Sequence, residues 1–162
     1  MTIKLLNKIL DYNDISGVFS WKISIGTSKI GKIAGSINSK GYIIIRYKKK
    51  AYNAHHLAWL WKYGKMPEMI DHINHIRSDN RLVNLREADY EINAKNMSIR
   101  SDNKSGVIGL AWNDKNKRWV SKITVSGNRI NLGSFVKFSD AVDARKNAEV
   151  LYGFHTNHGT RR

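Results

Sequence analysis

The sequence predicts a chain of mixed α+β class in two parts, and three features carry that expectation. Stretches of strand-like alternation and one clear stretch of helical spacing follow one another through the first hundred residues. Three alternating stretches and then a single helix-spaced stretch fill the last third. Between them the polar, unpatterned run Ser98-Ile-Arg-Ser-Asp-Asn-Lys-Ser105 has the composition of a linker. The expected division is therefore 1–97, 98–105 and 106–162.

The elements follow in order. Leu5, Leu6, Ile9 and Leu10, interrupted by Lys4, Asn7, Lys8 and Asp11, predict an amphipathic helix over Met1 to Tyr12 rather than the apolar run of a signal peptide. Gly17 to Trp21 and Gly41 to Tyr47 are β-branched and aromatic, bounded by Gly, Asn and Ser, and predict strands. Ser24 to Lys40 is loop, and its Lys29, Lys32 and Lys40 either meet a phosphate backbone or are simply solvated. From His55 to Tyr63, Leu57, Ala58, Leu60 and Trp61 share one helical face, with Gly64 and then Pro67 as the stop. Glu68 to Ile73 is a short strand and Asn74 to Arg81 a loop. Asp89 is placed to cap a short helix carrying Ile92, Asn93 and Asn96.

Beyond the linker, Val107 to Asn113, Arg118 to Val125 and Asn128 to Phe135 alternate as three strands of one antiparallel sheet. Ser139 is the expected cap of a helix reaching Tyr152, which buries Ala141, Val142, Ala144, Ala148 and Leu151. Period-two alternation turns Trp119, Ser121, Ile123, Ile130 and Leu132 toward that helix. It leaves Arg118, Lys122, Thr124, Arg129 and Asn131 on the outer face.

Charge narrows the class of partner. There are 28 Lys and Arg against 13 Asp and Glu, a formal +15, which exceeds what solubility requires and suits a polyanion. Charge alone does not separate DNA from RNA or an anionic membrane. Its distribution says more: residues 1–50 carry ten bases and two acids, residues 51–97 six of each, and residues 98–162 twelve bases and five acids. Two basic flanks around a neutral middle fit a central site that needs carboxylates, held to phosphates from either side. The absence of cysteine excludes disulfides and four-cysteine zinc scaffolds. No apolar stretch is long enough to span a bilayer, so no membrane association and an intracellular setting are expected.

Hydrolysis of a phosphodiester needs an in-line water, a base to activate it and a cation to screen the phosphate. Asp71 and His72 are candidates for the last two tasks, but neighbours on a strand face opposite sides, and a twist must bring both to one phosphate. Taken alone, the pair favours a structural reading.

The wider pattern decides between those readings. Ala54-His-His-Leu-Ala-Trp-Leu-Trp61, Ile70-Asp-His-Ile-Asn74, Ser78-Asp-Asn-Arg-Leu-Val-Asn-Leu-Arg86 and Asn93 resemble the HNH, or ββα-metal, endonucleases of phages and their introns. Tyr12-Asn-Asp-Ile-Ser-Gly-Val-Phe-Ser-Trp21, Gly41-Tyr-Ile-Ile-Ile45 and Tyr52-Asn-Ala-His55 resemble the small β-rich segment that precedes the motif in phage members, so the likeness spans roughly residues 10–100. The resemblance implies a ββα-metal (His-Me finger) core in which His72 is the general base, Asp71 and Asn93 are metal ligands, and Asn84 is the motif's central asparagine. Its side chain can bond both a backbone N–H and a carbonyl and so pin the loop that aims His72. One carboxylate and one amide make a hard, sparse ligand set, which favours Mg²⁺ or Mn²⁺ completed by water and phosphate oxygens. His75 and Ile76 stand where relatives often have a Gly-Asp turn. His75 is expected as a solvent-exposed loop residue, with an extra phosphate contact as the alternative, His55 as a residue that packs or braces the site, and His155 and His158 as tail residues.

Gly106-Val-Ile-Gly-Leu-Ala-Trp112, Arg118-Trp-Val-Ser-Lys-Ile-Thr124, Arg129-Ile-Asn-Leu-Gly-Ser-Phe135 and Ser139-Asp-Ala141 resemble the plant APETALA2-type DNA-binding domain, which also occurs in phage HNH nucleases. The resemblance implies that the sheet reads duplex DNA through Arg118, Lys122, Thr124, Arg129 and Asn131. Trp112 has two equal readings, a DNA-facing aromatic or a residue packing the hairpin. Arginines common on the family's first strand are replaced here by Ile108 and Leu110, which shifts the expected balance toward phosphate contacts.

The combined expectation is a magnesium- or manganese-dependent endonuclease acting on double-stranded DNA, phage-encoded and of homing type, working in the bacterial cytoplasm without a stable protein partner. Two other classes are consistent with parts of the pattern. One is a DNA-binding regulator whose nuclease part has decayed, and the other is a basic RNA-binding protein.

Overall fold

The computed structural model describes residues 1–161. They form two compact units that divide between Asp89 and Tyr90, and the class is α+β, with four small antiparallel sheets and four α-helices among the described residues.

In the first unit Thr2 caps helix α1 (Ile3–Ile9), its hydroxyl accepting from the Leu5 N–H at 3.3 Å. The helix expected to reach Tyr12 stops at Ile9, because Leu10–Asn13 becomes strand β1 and pairs antiparallel with β2 (Val18–Trp21). The apolar set Leu6, Ile9, Leu10 and Tyr12 meets both periods over so short a stretch. Pairing with β2 decides in favour of the strand by burying Leu10, Tyr12, Phe19 and Trp21 on one face. Strands β3 (Ser36–Ile37), β4 (Ile43–Tyr47) and β5 (Lys50–Asn53) form a meander in that order. β3 and β5 were not expected from the sequence. β3 has only two residues, both exposed, and β5 reads Lys-Ala-Tyr-Asn with its second half partly buried, so neither shows the alternation that marks a half-buried strand.

Helix α2 (Ala54–Tyr63) follows β5 directly and buries Ala54, Leu57, Ala58 and Leu60. It ends as expected at Gly64, whose φ of 70° gives the left-handed cap and lets its N–H bond to the Leu60 carbonyl. β6 (Ile70–His72) pairs antiparallel with β7 (Leu85–Glu87) in the register Ile70↔Glu87, Asp71↔Arg86, His72↔Leu85. A 3-10 turn over Leu82–Asn84 leads into β7. One core joins α1, β1, β2, β4, α2 and Leu85, so the β6–β7 hairpin stands on a packed base.

The second unit contains α3 (Tyr90–Ala94), which begins immediately after Asp89. It also contains the sheet β8 (Leu110–Asn113), β9 (Arg118–Val125) and β10 (Asn128–Phe135) in the order β10-β9-β8, and α4 (Phe138–Leu151). The stretch read as a linker is bonded at its start to the end of the chain. The Gly159 N–H donates to the Met97 carbonyl at 2.8 Å and the Ile99 N–H to the Thr160 carbonyl at 3.1 Å.

Ser139 is not the cap of α4: Lys137 holds that position with no side-chain capping bond, and the Ser139 hydroxyl bonds Asp140. The buried face of α4 is also shifted. Ala141 and Ala148 are buried as expected, whereas Leu151 is exposed and Arg145 and Glu149 are buried as an ion pair with Nε–Oε1 at 2.9 Å. Positions 141, 145, 148 and 149 form one helical stripe, and hydrophobicity alone could not have included its two charged members. His158 is likewise buried, with its ring nitrogen 3.1 Å from Arg145, and is not a tail residue. Among the described residues no helix is long and apolar enough to cross a membrane.

Candidate active site

The β6–β7 hairpin and the loop between its strands place most of the chemistry-bearing residues of the first unit. Asp71 and His72 are both buried, although they are neighbours on β6. The loop after them folds back at once: the His75 N–H donates to the His72 carbonyl at 2.9 Å, with His75 at a φ of 64°. His75 is buried there, which corrects the expectation of an exposed loop histidine. The turn takes a left-handed residue where relatives often carry glycine, and the ring packs inward.

Asn84 spans this loop. Its Oδ1 accepts from the Asn74 N–H at 2.9 Å, and its Nδ2 donates to the Asp79 carbonyl at 2.9 Å. Two backbone segments five residues apart are thus held by one buried amide, the two-sided bond that an asparagine side chain can make. Asp79 extends the brace: it accepts from Asn74 Nδ2 at 2.8 Å and from Arg81 Nε at 2.8 Å, and the Arg81 bonds hold its carboxyl below the usual range.

Asn80, which the sequence did not single out, is buried beside His72 with its Oδ1 3.4 Å from His72 Nε2. Its carbonyl accepts from the Tyr12 hydroxyl at 2.7 Å, so β1 supports the loop from below. Gly17, at a φ of 71°, allows the close approach. A Cβ there would stand 2.5 Å from the Arg81 nitrogen and 2.7 Å from the Asn80 carbonyl carbon. An amide oxygen as acceptor favours the His72 tautomer that carries its proton on Nε2.

Around His72 stand His55 of α2, its ring centroid 5.0 Å away and edge-on, and Tyr42 at 5.9 Å. Arg77 lies over the Tyr42 ring at 4.9 Å. Burial pushes the His72 imidazole below its ordinary pKa against the upward pull of the Asn80 bond and of Asp71 and Asp79. Burial drives His55 lower still, to about 3, helped by His72 and His56. His55 is therefore a neutral ring at ordinary pH, and its buried Nδ1 has no hydrogen-bond partner.

The Asp71 carboxylate faces Arg86, its cross-strand partner, whose Nε and Nη2 both bond Oδ2 at 3.0 and 2.7 Å. Among the described residues no three His, Cys, Asp or Glu gather as a metal cluster. The donor chemistry at Asp71 still fits one hard cation, because Mg²⁺ needs only one or two carboxylates when water and phosphate oxygens supply the rest. Asn93 lies exposed on α3, in the second unit.

In the second unit Arg118, Thr124, Arg129 and Asn131 are exposed and Lys122 is half-buried, while Ser121 and Ile123 are buried toward α4. Lys122, Thr124 and Arg129 line a cavity of about 590 Å³ together with Tyr90, Ala94 and Phe154. Trp112 is 42 % exposed, packs edge-on against Trp119 at 5.2 Å and donates its N–H to Asp114 at 3.1 Å. It thus has both an open face and a place in the hairpin. Of the residues that the sequence did not mark, only Arg86 left a signal, since its register opposite Asp71 follows once β6 and β7 are paired.

Comparison with known proteins bears on the same stretch. A family model described as HNH endonuclease matches residues 52–95, which contain α2, the β6–β7 hairpin and α3. Protein 3.8 of Escherichia phage T7 is 33% identical over 87 residues, covering 52% of this chain and 72% of that protein. No solved structure matches the chain. With most of the T7 protein matched at that identity, the chain belongs to the family of phage T7 Protein 3.8 and carries an HNH endonuclease domain over residues 52–95.

Proposed function

We propose that the protein is a phage-encoded endonuclease of homing type, which hydrolyses phosphodiester bonds of double-stranded DNA with one divalent cation in the bacterial cytoplasm. The observation that carries this reading is the β6–β7 hairpin inside the HNH match. Asp71 and His72 are buried side by side, and the loop behind them is held on both sides by Asn84.

In this reading the hairpin belongs to a ββα-metal core. His72 takes the proton from the attacking water, aimed by Asn80 on one side and fenced by His55 and Tyr42 on the other. Asn84 keeps the loop, and with it His72, in place. Asp71 would hold the Mg²⁺ or Mn²⁺, which when bound screens the phosphate and stabilises the departing oxygen. Asn93 enters as a second ligand through the family resemblance alone.

The second unit is read as an APETALA2-like module that holds the duplex through Arg118, Lys122, Thr124, Arg129 and Asn131, with Trp112 at its edge. The first unit adds a basic hairpin of its own. Arg46, Lys48, Lys49 and Lys50 are exposed at the β4–β5 turn, with Lys48 and Lys49 at positive φ of 46° and 64°. Left-handed lysines cost roughly 1–2 kcal/mol each against a glycine turn, a cost that a phosphate contact would explain.

The test is incubation of the protein with supercoiled plasmid. Open circles should form with Mg²⁺, disappear with a chelator, and fail to form with His72→Ala. Plasmid that stays supercoiled with the wild-type protein and Mg²⁺, while remaining bound, contradicts the nuclease reading and leaves a DNA-binding protein. Preferential binding of RNA over duplex DNA contradicts both.

A further inference from the structure

The Asp71 carboxylate does not stand open for a cation. Its side chain is 8% exposed, and Oδ2 accepts two hydrogen bonds from the guanidinium of Arg86, which is 29% exposed. The pairing is built into the hairpin, because Asp71 and Arg86 are direct partners in the β6–β7 register and so project to the same face. A buried carboxylate stays ionised only with a counter-charge beside it. Arg86 fills that need from within the chain.

A guanidinium bonded to Oδ2 and a divalent cation on the same carboxylate would be two like charges a few ångströms apart, in a place poorly screened by water. Their occupancies oppose each other. The displaced guanidinium is not lost to the site, since β7 anchors its stem and the side chain is partly open to solvent. Its planar fork of N–H donors matches the paired oxygens of a phosphate.

We infer that Arg86 is the resident counter-ion of Asp71, and that it gives up the carboxylate to an incoming divalent cation and passes to a phosphate of the DNA. The inference rests on the reading of Asp71 as the cation ligand. It makes cation binding and DNA binding help each other: without duplex, the metal must displace Arg86 with nothing to receive it, and with duplex the displaced guanidinium gains a phosphate. Such coupling is reciprocal by linkage.

The test is Mn²⁺ binding to the full-length protein, followed by electron paramagnetic resonance, for the wild type, Arg86→Gln and Asp71→Asn. Arg86→Gln should bind Mn²⁺ in the absence of DNA about fivefold or more tighter than wild type, and should lose most of the tightening that added duplex gives. Unchanged or weaker Mn²⁺ binding by folded Arg86→Gln overturns the inference, because Arg86 would then support the ligand instead of competing for it. Asp71→Asn should abolish the binding; if it does not, Asp71 is not the ligand and the reading beneath the inference fails instead.

Should Arg86→Gln not fold, the wild type gives the same answer through the Arg86 Nε–H nitrogen resonance during a Mg²⁺ titration. The resonance should move, and its hydrogen exchange with water should quicken, as Mg²⁺ binds. A resonance unchanged at saturating Mg²⁺ contradicts the exchange of partners.

Discussion

At the scale of single residues, Asn84 and His55 carry the most from the smallest number of atoms. Replacing Asn84 with Ala leaves the Asn74 N–H and the Asp79 carbonyl without their partner. A buried polar group so stranded costs about 1–3 kcal/mol. Misaiming a catalytic group by an ångström costs about 100-fold in rate. Asn84→Ala is therefore expected to lower the midpoint of urea unfolding and slow plasmid nicking by about two orders of magnitude. Its affinity for duplex DNA should stay near that of wild type, as checked by gel shift. Loss of binding in step with activity would place Asn84 on the DNA instead of in the loop.

His55 acts through pH. Its folded pKa is pushed down to about 3 by burial first and by His72 and His56 after that, whereas the unfolded chain titrates near 6.5. Its contribution to stability is complete above pH 6.5. It is lost as pH falls from 6.5 toward 3, because only the unfolded chain takes up the proton, at about 1.4 kcal/mol per pH unit. His56 and His72, both shifted down, add in the same direction. Urea melts at pH 7 and pH 5 should show the loss for wild type and a smaller loss for His55→Gln, and equal losses would remove His55 from the account.

Asp71, His72 and Asn84 were legible as candidates, because they fall at a family's spacing, and all three are buried in the β6–β7 hairpin or the turn that leads into β7. Asn80 and Tyr42 were not legible, and Arg86 was legible only through its register opposite Asp71. An asparagine in a polar loop, a tyrosine beside a glycine and an arginine on a short strand have many ordinary roles, and only pairing and loop closure select one of them.

At the scale of elements, the β4–β5 hairpin is where a trade of stability for binding can be tested. Its turn uses Lys48 and Lys49 in a conformation for which Asn-Gly is far better suited. The double change Lys48→Asn, Lys49→Gly is expected to stabilise the protein by about 1 kcal/mol or more by relieving the left-handed lysines. It should also weaken DNA binding and lower the slope of log affinity against log salt by up to about two, if both lysines meet phosphates. Thermal melting and salt-dependent binding check the two halves. A stabilised protein with an unchanged salt slope would make the lysines solvated turn residues.

Elements with strong periodicity were readable: α2, β2, β4, β9 and β10 lie where apolar spacing placed them, within a few residues. The failures have physical causes. β3 and β5 are too polar and short to show a pattern, and β1 was absorbed into a helix because its two inward residues also fit a helical stripe. The inner face of α4 carries the Arg145–Glu149 pair, which pattern reading assigns to solvent. Buried charge is recoverable only when its partner is known.

At the scale of the whole molecule, the formal +15 lies wholly outside residues 51–97, where six bases balance six acids, a distribution that suits a polyanion held by the flanks of the sequence. The division into parts shows how composition and backbone bonding report different things. The polar stretch after Met97 looks like a linker by composition, yet it is bonded to the end of the chain, and the compact units divide before α3. Composition reports solvation, whereas a boundary is set by which backbone groups find partners.

In the proposed function His72, held by Asn80 and by the Asn84-pinned loop, activates water for phosphodiester hydrolysis. Its most direct measurement is the single-turnover nicking rate of supercoiled DNA with Mg²⁺, taken beside DNA affinity, for wild type and His72→Ala. The expected result is a loss of about 100- to 10,000-fold in rate for His72→Ala, with affinity and melting temperature close to wild type. An equal nicking rate in the two proteins would contradict the claim outright.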